Sequence, residues 1–385
     1  MQRITESDGS RFFVALSQEL MAGMNCWHGV ENWDEERFGP YRSSLKSAVL
    51  DRFNKLLSER FVFIPVRATV PEIQKLDRVK DSLTGLSWFY ERLSDQASKD
   101  MLVKVLSYRL LGPKRIKLPV NDQDYWPTRR GLNSLIKDSD TLKVKFHNLE
   151  LKHFDLDKLG YPIELFFTAS GLMATFALQQ YRYRHSDPEI SARPGDYVID
   201  AGSCWGDTAL YFAHQAGPDG HVFSFEFEPD NLKVFEKNLE LNPELAARVE
   251  IAREALWRQS GETLHCLANG PASSLVADEA NYGQDAVPIT TASIDDFVAR
   301  RKLPRVDFIK MDIEGAELDA LHGARETIQK FKPRLAISIY HRDSDFIDIP
   351  AYLNQLHAGY DFFLDHFTIY GEETILFAQP KAVPQ

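Results

Sequence analysis

Apolar residues fall in two rhythms along the chain, and the change comes near residue 140. Before it, they recur at helical spacing. Asp81–Leu111 places Leu83, Leu86, Phe89 and Tyr90 on one face and Met101, Leu102, Val105 and Leu106 on another. Ser94 and Asp95 lie between the two clusters and can cap a break, and Gly112–Pro113 ends the run. Ser43–Leu57 reads as a further amphipathic helix. Beyond the change, Leu142–Phe146 and parts of Leu149–Leu156 alternate as half-buried strands do. After Arg193–Pro194–Gly195 strands and helices take turns. Strands are expected over Asp196–Asp200, His221–Glu226, Arg248–Ala252, Arg305–Met311 and Pro333–Tyr340. Helices are expected over Asp207–Gln215, Pro229–Asn242 and Ala316–Lys330, and a hairpin over Tyr360–Asp365 and Glu373–Gln379 across Gly371.

Repeated β–α units predict an α/β, Rossmann-like domain whose sheet is mostly parallel, with a C-terminal antiparallel hairpin. The expected organisation is a mainly helical region over 1–140 and the α/β domain over 141–385, with a β-rich lead-in at 141–190. In such sheets ligands bind beyond the carboxyl ends of the strands.

Composition narrows the field. The 385 residues are 44% hydrophobic and 26% charged, ordinary values for a globular chain. A net charge of -11 repels phosphate backbones, so nucleic acid is not expected as a partner. Cys26, Cys204 and Cys266 are scattered, odd in number and unpaired in sequence, which argues against disulfides and a structural zinc site and fits the cytoplasm. The polar N-terminus lacks the apolar run of a signal peptide. The longest apolar stretch, Ile163–Leu178, falls short of the ~20 residues that span a bilayer, so no membrane role is expected.

The strand ends carry the chemistry. The first βα turn reads Asp200-Ala201-Gly202-Ser203-Cys204-Trp205-Gly206-Asp207. Counted from Gly202, a GxGxxG fingerprint fails at Cys204 and Asp207, and Asp207 opens a helix where a pyrophosphate would otherwise sit. A ligand without phosphates suits this turn better, and S-adenosylmethionine is one. The second strand ends FSFEFEP. A carboxylate here, about 20 residues beyond the turn, typically accepts from ribose hydroxyls; Glu226 is preferred over Glu228 because it closes the strand alternation. The strand over 305–311 runs into Asp312, Glu314, Gly315 and Glu317. Three acids so close need a cation, donors or water. Glu254 and Ala255 are placed to flank an adenine, and Ser273 and Ser274 lie in a Gly/Pro/Ser loop that could cover the site. Trp257 reads as core rather than a stacking platform.

The blocks VIDAGSCWGDTAL, VFSFEFEPDNLKVFEKNLELN and FIKMDIEGAELDALHGA, in this order and spacing, resemble the FkbM family of methyltransferases over about Pro194–Pro380. The resemblance implies a class I methyltransferase fold, S-adenosylmethionine as donor and a hydroxyl acceptor on a polyketide-like or sugar-like molecule or glycan. Matched block by block, it implies that Asp200, Gly202 and Gly206 frame the cofactor's amino-acid end, Glu226 binds the ribose and Asp312 faces the reaction centre. Two departures stand out. Cys204 and Trp205 occupy a turn where small or aliphatic residues are common, and ISIYHRDSD sets Ser338, Tyr340 and His341 where many relatives carry an acid.

A hydroxyl needs a base to take its proton. His341 is the first candidate, with Asp343 to orient it and Asp312 as the alternative base; no metal is required by the spacing, although Asp312, Glu314 and His341 are of the right types to hold one. Two rival readings are a nicotinamide-dependent oxidoreductase and a non-catalytic cofactor-binding or interaction module. Residues 1–140 match no pattern that assigns them a role; an acceptor lid, a homo-oligomer interface and a docking surface are the uses open to them.

Overall fold

A computed structural model describes residues 6–26, 28, 32–35, 39–41, 82–267, 269–276 and 287–381. The helix expected over Ser43–Leu57 lies outside these residues. The described residues divide into two compact units: those of Met1–Tyr125 with Leu364–Thr374, and those of Trp126–Phe363 with Ile375–Gln385.

In the first unit, helices span Glu6–Met24, 82–92 and Gln96–Leu111. The break between the last two falls at Ser94–Asp95, and Asp95 caps the helix by accepting the Ser98 N–H at 2.8 Å. Phe12, Leu16, Phe89 and Leu102 are buried, and the Phe12 and Tyr90 rings pack at 5.4 Å. Gly112, at φ +77°, ends the run as its glycine predicts.

The second unit holds three sheets. β1 (Ile136–Lys143), β2 (Glu150–Asp155) and β3 (Glu164–Phe167) form an antiparallel meander. The expected half-buried strand over Leu142–Phe146 does not form as such. β1 starts earlier, is almost wholly exposed, and yields to a 3-10 turn over Phe146–Asn148. The main sheet has seven strands in the order β13-β14-β12-β11-β4-β5-β6. These are β4 (Tyr197–Ala201), β5 (His221–Phe225), β6 (Val249–Ala252), β11 (Phe308–Met311), β12 (Arg334–Ser338), β13 (Tyr360–His366) and β14 (Thr374–Pro380). The five from β12 to β6 are parallel and β14 is antiparallel to β12, the expected α/β fold class with its C-terminal reversal. β11 and β12 are buried at every position, as strands covered on both faces must be.

Two details depart from the sequence expectation. The helix expected over Ala316–Lys330 is two, Glu317–His322 and Arg325–Phe331. Gly323 stands between them because a Cβ there would lie 2.2 Å from the Trp257 carbonyl oxygen. The long connection after residue 254 is built rather than irregular. β7 (Ala255–Leu256), β8 (Thr263–Leu267), β9 (Ser274–Val276) and β10 (Val287–Ala292) make a small sheet in the order β7-β10-β8-β9. Trp257 is buried there beside Leu264 and Ala316, a core residue as expected. Among the described residues no helix is long and apolar enough to cross a membrane.

Candidate active site

The site begins where β4 and β11 end side by side. Gly202 follows β4 at φ +83°, and a Cβ on it would fall 1.9 Å from the Asp312 carbonyl oxygen just past β11. Only glycine permits both the left-handed backbone and that approach. Gly206, also at φ +83°, presses against the Phe235 ring and opens the helix Asp207–Ala216. From β11 the Lys310 side chain crosses to β4 and donates to the Ala201 carbonyl at 3.1 Å and to the Gly202 carbonyl, with Asp200 at 3.3 Å. Burial works against its charge, but the Asp200, Asp312 and Asp207 carboxylates outweigh it and raise the ammonium above the usual lysine value.

Asp200 is therefore spoken for. It is fully buried and accepts from Ser203, Thr208 and Ser224 hydroxyls at 2.9–3.1 Å besides facing Lys310. It braces the turn from behind and does not reach the cleft. Asp207 is buried too, accepts the Thr175 hydroxyl at 2.8 Å, and is pushed up to about 6 by burial.

The cleft itself opens to solvent at the carboxyl ends of β4, β5 and β11. Gly202, Cys204, Glu226, Glu254, Asp312 and Glu314 line it, together with Gly270–Ser273 from the small sheet's loop. Of the residues expected from sequence, Gly202, Glu226 and Asp312 converge here; Gly206 and Asp200 shape the turn without lining it. Of the pair expected to flank an adenine, Glu254 lines the wall and Ala255 is buried away from it, while Leu256 lines it too, as the period of two along a strand places them. Ser273 reaches the cleft as expected of a covering loop. Asn231, Phe227 and Ile313 also line it; only Asn231, three residues after Glu228 in FEPDN, carried a signal.

Glu226 sits one residue past β5. Its Oε1 accepts the Phe227 and Glu228 N–H groups, both at 2.8 Å, and Oε2 lies 3.4 Å from the Asn231 amide. Burial pushes its carboxyl up to about 7 against these hydrogen bonds. Oε2 thus keeps acceptor capacity facing the cleft. Glu228 is used differently: it caps the helix Pro229–Leu241, accepting the Asn231 N–H at 2.6 Å.

On the β11–β12 side, Asp312 accepts the Tyr181 hydroxyl at 3.0 Å and the Tyr340 hydroxyl at 3.1 Å. His341 stands behind it with only 9% of its side chain exposed. Its Nε2 is 3.5 Å from Asp312 Oδ1 and 3.6 Å from Glu314 Oε2, and its Nδ1 is 2.9 Å from Glu317 Oε1. Burial lowers the ring's basicity, but Glu314, Glu317 and Asp312 together push it up to about 11. The ring stands among three acids behind Asp312 and does not itself line the cleft, where a base would meet an acceptor. Asp343 does not orient it; the Nδ1 side belongs to Glu317. Asp312 remains the acid at the cleft.

Parts of this chain are similar to known proteins. Residues 189–362 match the model of the methyltransferase FkbM domain. "Methyltransferase 1" of Beauveria bassiana (strain ARSEF 2860) is 22% identical over 178 residues, which cover 41% of this chain and 70% of that protein. A crystal structure of methyltransferase FkbM from Methylobacillus flagellatus KT is 20% identical with a TM-score of 0.48, covering 79% of this chain. The match spans 60% of that protein's length, less than two thirds. Aeropyrum pernix fibrillarin, solved with natively bound S-adenosyl-L-methionine, is 11% identical with a TM-score of 0.35, covering 62% of this chain and 93% of that one. The matched residues contain β4, β5, β6, β11 and β12 and every cleft residue named above.

Proposed function

We propose that the FkbM domain binds S-adenosylmethionine in the cleft beyond β4, β5 and β11 and transfers its methyl group to a hydroxyl of a small-molecule or glycan acceptor. The observation that carries this reading is Glu226: a buried carboxylate one residue past β5, fixed through Oε1 by two backbone N–H groups, with Oε2 left to the cleft that it lines. That is where a ribose diol can be held. The residues present fit the cofactor in its other parts. The Gly202–Cys204 turn leaves room for the amino-acid end, Glu254 and Leu256 flank the place of the adenine, and Asp312 faces the sulfonium with its charge.

The bound cofactor supplies an activated methyl and a neutral leaving group. The chain supplies the rest. Tyr181 and Tyr340 fix the Asp312 carboxylate through its two oxygens, so it meets an acceptor hydroxyl in one orientation. Asp312 is the group placed to take the acceptor's proton. Gly270, Pro271 and Ser273 form one wall of the cleft.

Calorimetric titration with S-adenosylhomocysteine tests the reading, beside NAD and a Glu226→Ala variant. Saturable binding, weakened about 10- to 100-fold in the variant through loss of charged hydrogen bonds, with no NAD response, is the expected result. Well-folded protein that ignores S-adenosylhomocysteine sinks the proposal, and NAD binding instead would favour an oxidoreductase.

A further inference from the structure

We propose that Asp312, Glu314 and His341 form a binding site for one divalent first-row transition ion, such as Mn2+, at the edge of the cleft, with Glu317 fixing the imidazole from behind.

The first observation is the unspent His341 ring. Although the side chain is nine-tenths buried, its Nε2 completes no hydrogen bond among the described residues. A proton on Nε2 would be expected to close onto one carboxylate. Instead the nitrogen stands nearly equidistant from two, 3.5 Å from Asp312 Oδ1 and 3.6 Å from Glu314 Oε2, beyond a good hydrogen bond. Ligand bonds of roughly 2.0–2.2 Å put tetrahedral donors about 3.4 Å apart, so these separations suit donors that share an ion.

The second observation is the other side of the ring. Nδ1 faces Glu317 Oε1 at 2.9 Å, and that carboxylate is fully buried and pinned by the Ile313 N–H at 2.8 Å. A carboxylate behind one imidazole nitrogen is the arrangement that orients the other nitrogen toward a metal. Tyr181 and Tyr340 play the same part for Asp312. Ligand atoms of Asp312, Glu317 and His341 all lie within 4.8 Å of one another, so the carboxylate behind the ring and the one in front of it belong to one compact cluster.

Charge agrees. Three carboxylates converge on one imidazole, and the nearby buried Lys310 is committed to Asp200 and two carbonyls. A mixed set of one nitrogen and carboxylate oxygens suits Mn2+ and its neighbours better than Mg2+, which prefers oxygen and water. On the methyl-transfer reading, on which this role rests, an ion here would hold the acceptor hydroxyl and lower its pKa; with the ion bound, Asp312 would act as its ligand instead of as the base, and the released proton would pass to solvent.

The test is an Mn2+ titration of the chelator-treated full chain, followed by the paramagnetic resonance of free Mn2+, on the wild type and on Glu314→Gln and His341→Gln. Circular dichroism reports folding. One saturable site per chain, weakened at least tenfold in both folded variants, is the expected result. Should His341→Gln unfold, the half-exposed Glu314→Gln decides alone. Absence of a saturable site up to about millimolar Mn2+ overturns the proposal, as does a site indifferent to the substitutions. S-adenosylhomocysteine binding without an Mn2+ site defeats the metal and spares the cofactor reading; an Mn2+ site without S-adenosylhomocysteine binding does the reverse.

Discussion

The turns after β4 and β11 both carry acids at the carboxyl end of a buried parallel strand, and their acids meet opposite ends. Asp200 is saturated: three hydroxyls and an ammonium consume its oxygens, and nothing is left for a ligand. The acids after β11 are held but not consumed. Asp312 has its oxygens oriented by two tyrosines while it still lines the cleft, and Glu314 lines it beside Asp312. A strand-end carboxylate is thus scaffold or chemistry according to what its lone pairs already hold.

Removing the cation that saturates Asp200 attacks the comparison hardest. Lys310→Met leaves a fully buried carboxylate facing an apolar chain, and should cost about 3–5 kcal/mol in urea unfolding. A loss well below that would mean Asp200 is less dependent on its cation than its burial implies. Gly202 probes the close approach of the two turns. Gly202→Ala pays roughly 1–3 kcal/mol for the backbone and more for the Asp312 carbonyl it meets. Gly160→Ala, at φ +87° with nothing within 4 Å, pays for the backbone alone. Thermal unfolding of the pair isolates the contact, and equal losses would deny it.

The smallest effect concerns Glu226. Its folded pKa of about 7 is raised above the ordinary glutamate value. Such a group contributes stability in full below pH 4.5 and loses it as pH rises through 7. Ribose hydroxyls prefer the ionised form, so the cofactor works in the other direction. S-adenosylhomocysteine should bind about tenfold more weakly at pH 6 than at pH 8, and Glu226→Gln should flatten that slope. A slope that persists in the variant places the titration elsewhere.

Much of this frame is legible in the sequence, because the glycine turn and the strand-end acids are local patterns. Gly202, Glu226 and Asp312 converge where the β–α alternation puts them. What escaped reading depends on partners distant in sequence. The fate of Asp200 turns on Lys310, a lysine inside an apolar strand that looks like an ordinary solvent-facing position. His341 is decided by three acids reached across two strand ends. Gly323 breaks a continuous helical pattern only because the Trp257 carbonyl comes close. The sheet of β7 to β10 consists of strands of two to six residues, too short for periodicity to register.

The departure at Cys204 acquires a meaning of its own. S-adenosylmethionine is an alkylating agent, and thiolates are among the best nucleophiles it could meet. Cys204 lines the very cleft proposed for it, yet desolvation and the Glu226 and Asp207 carboxylates drive its thiol well above the usual cysteine value. The sulfur stays protonated and dull, so the wall of the pocket is protected from being methylated by its own reagent.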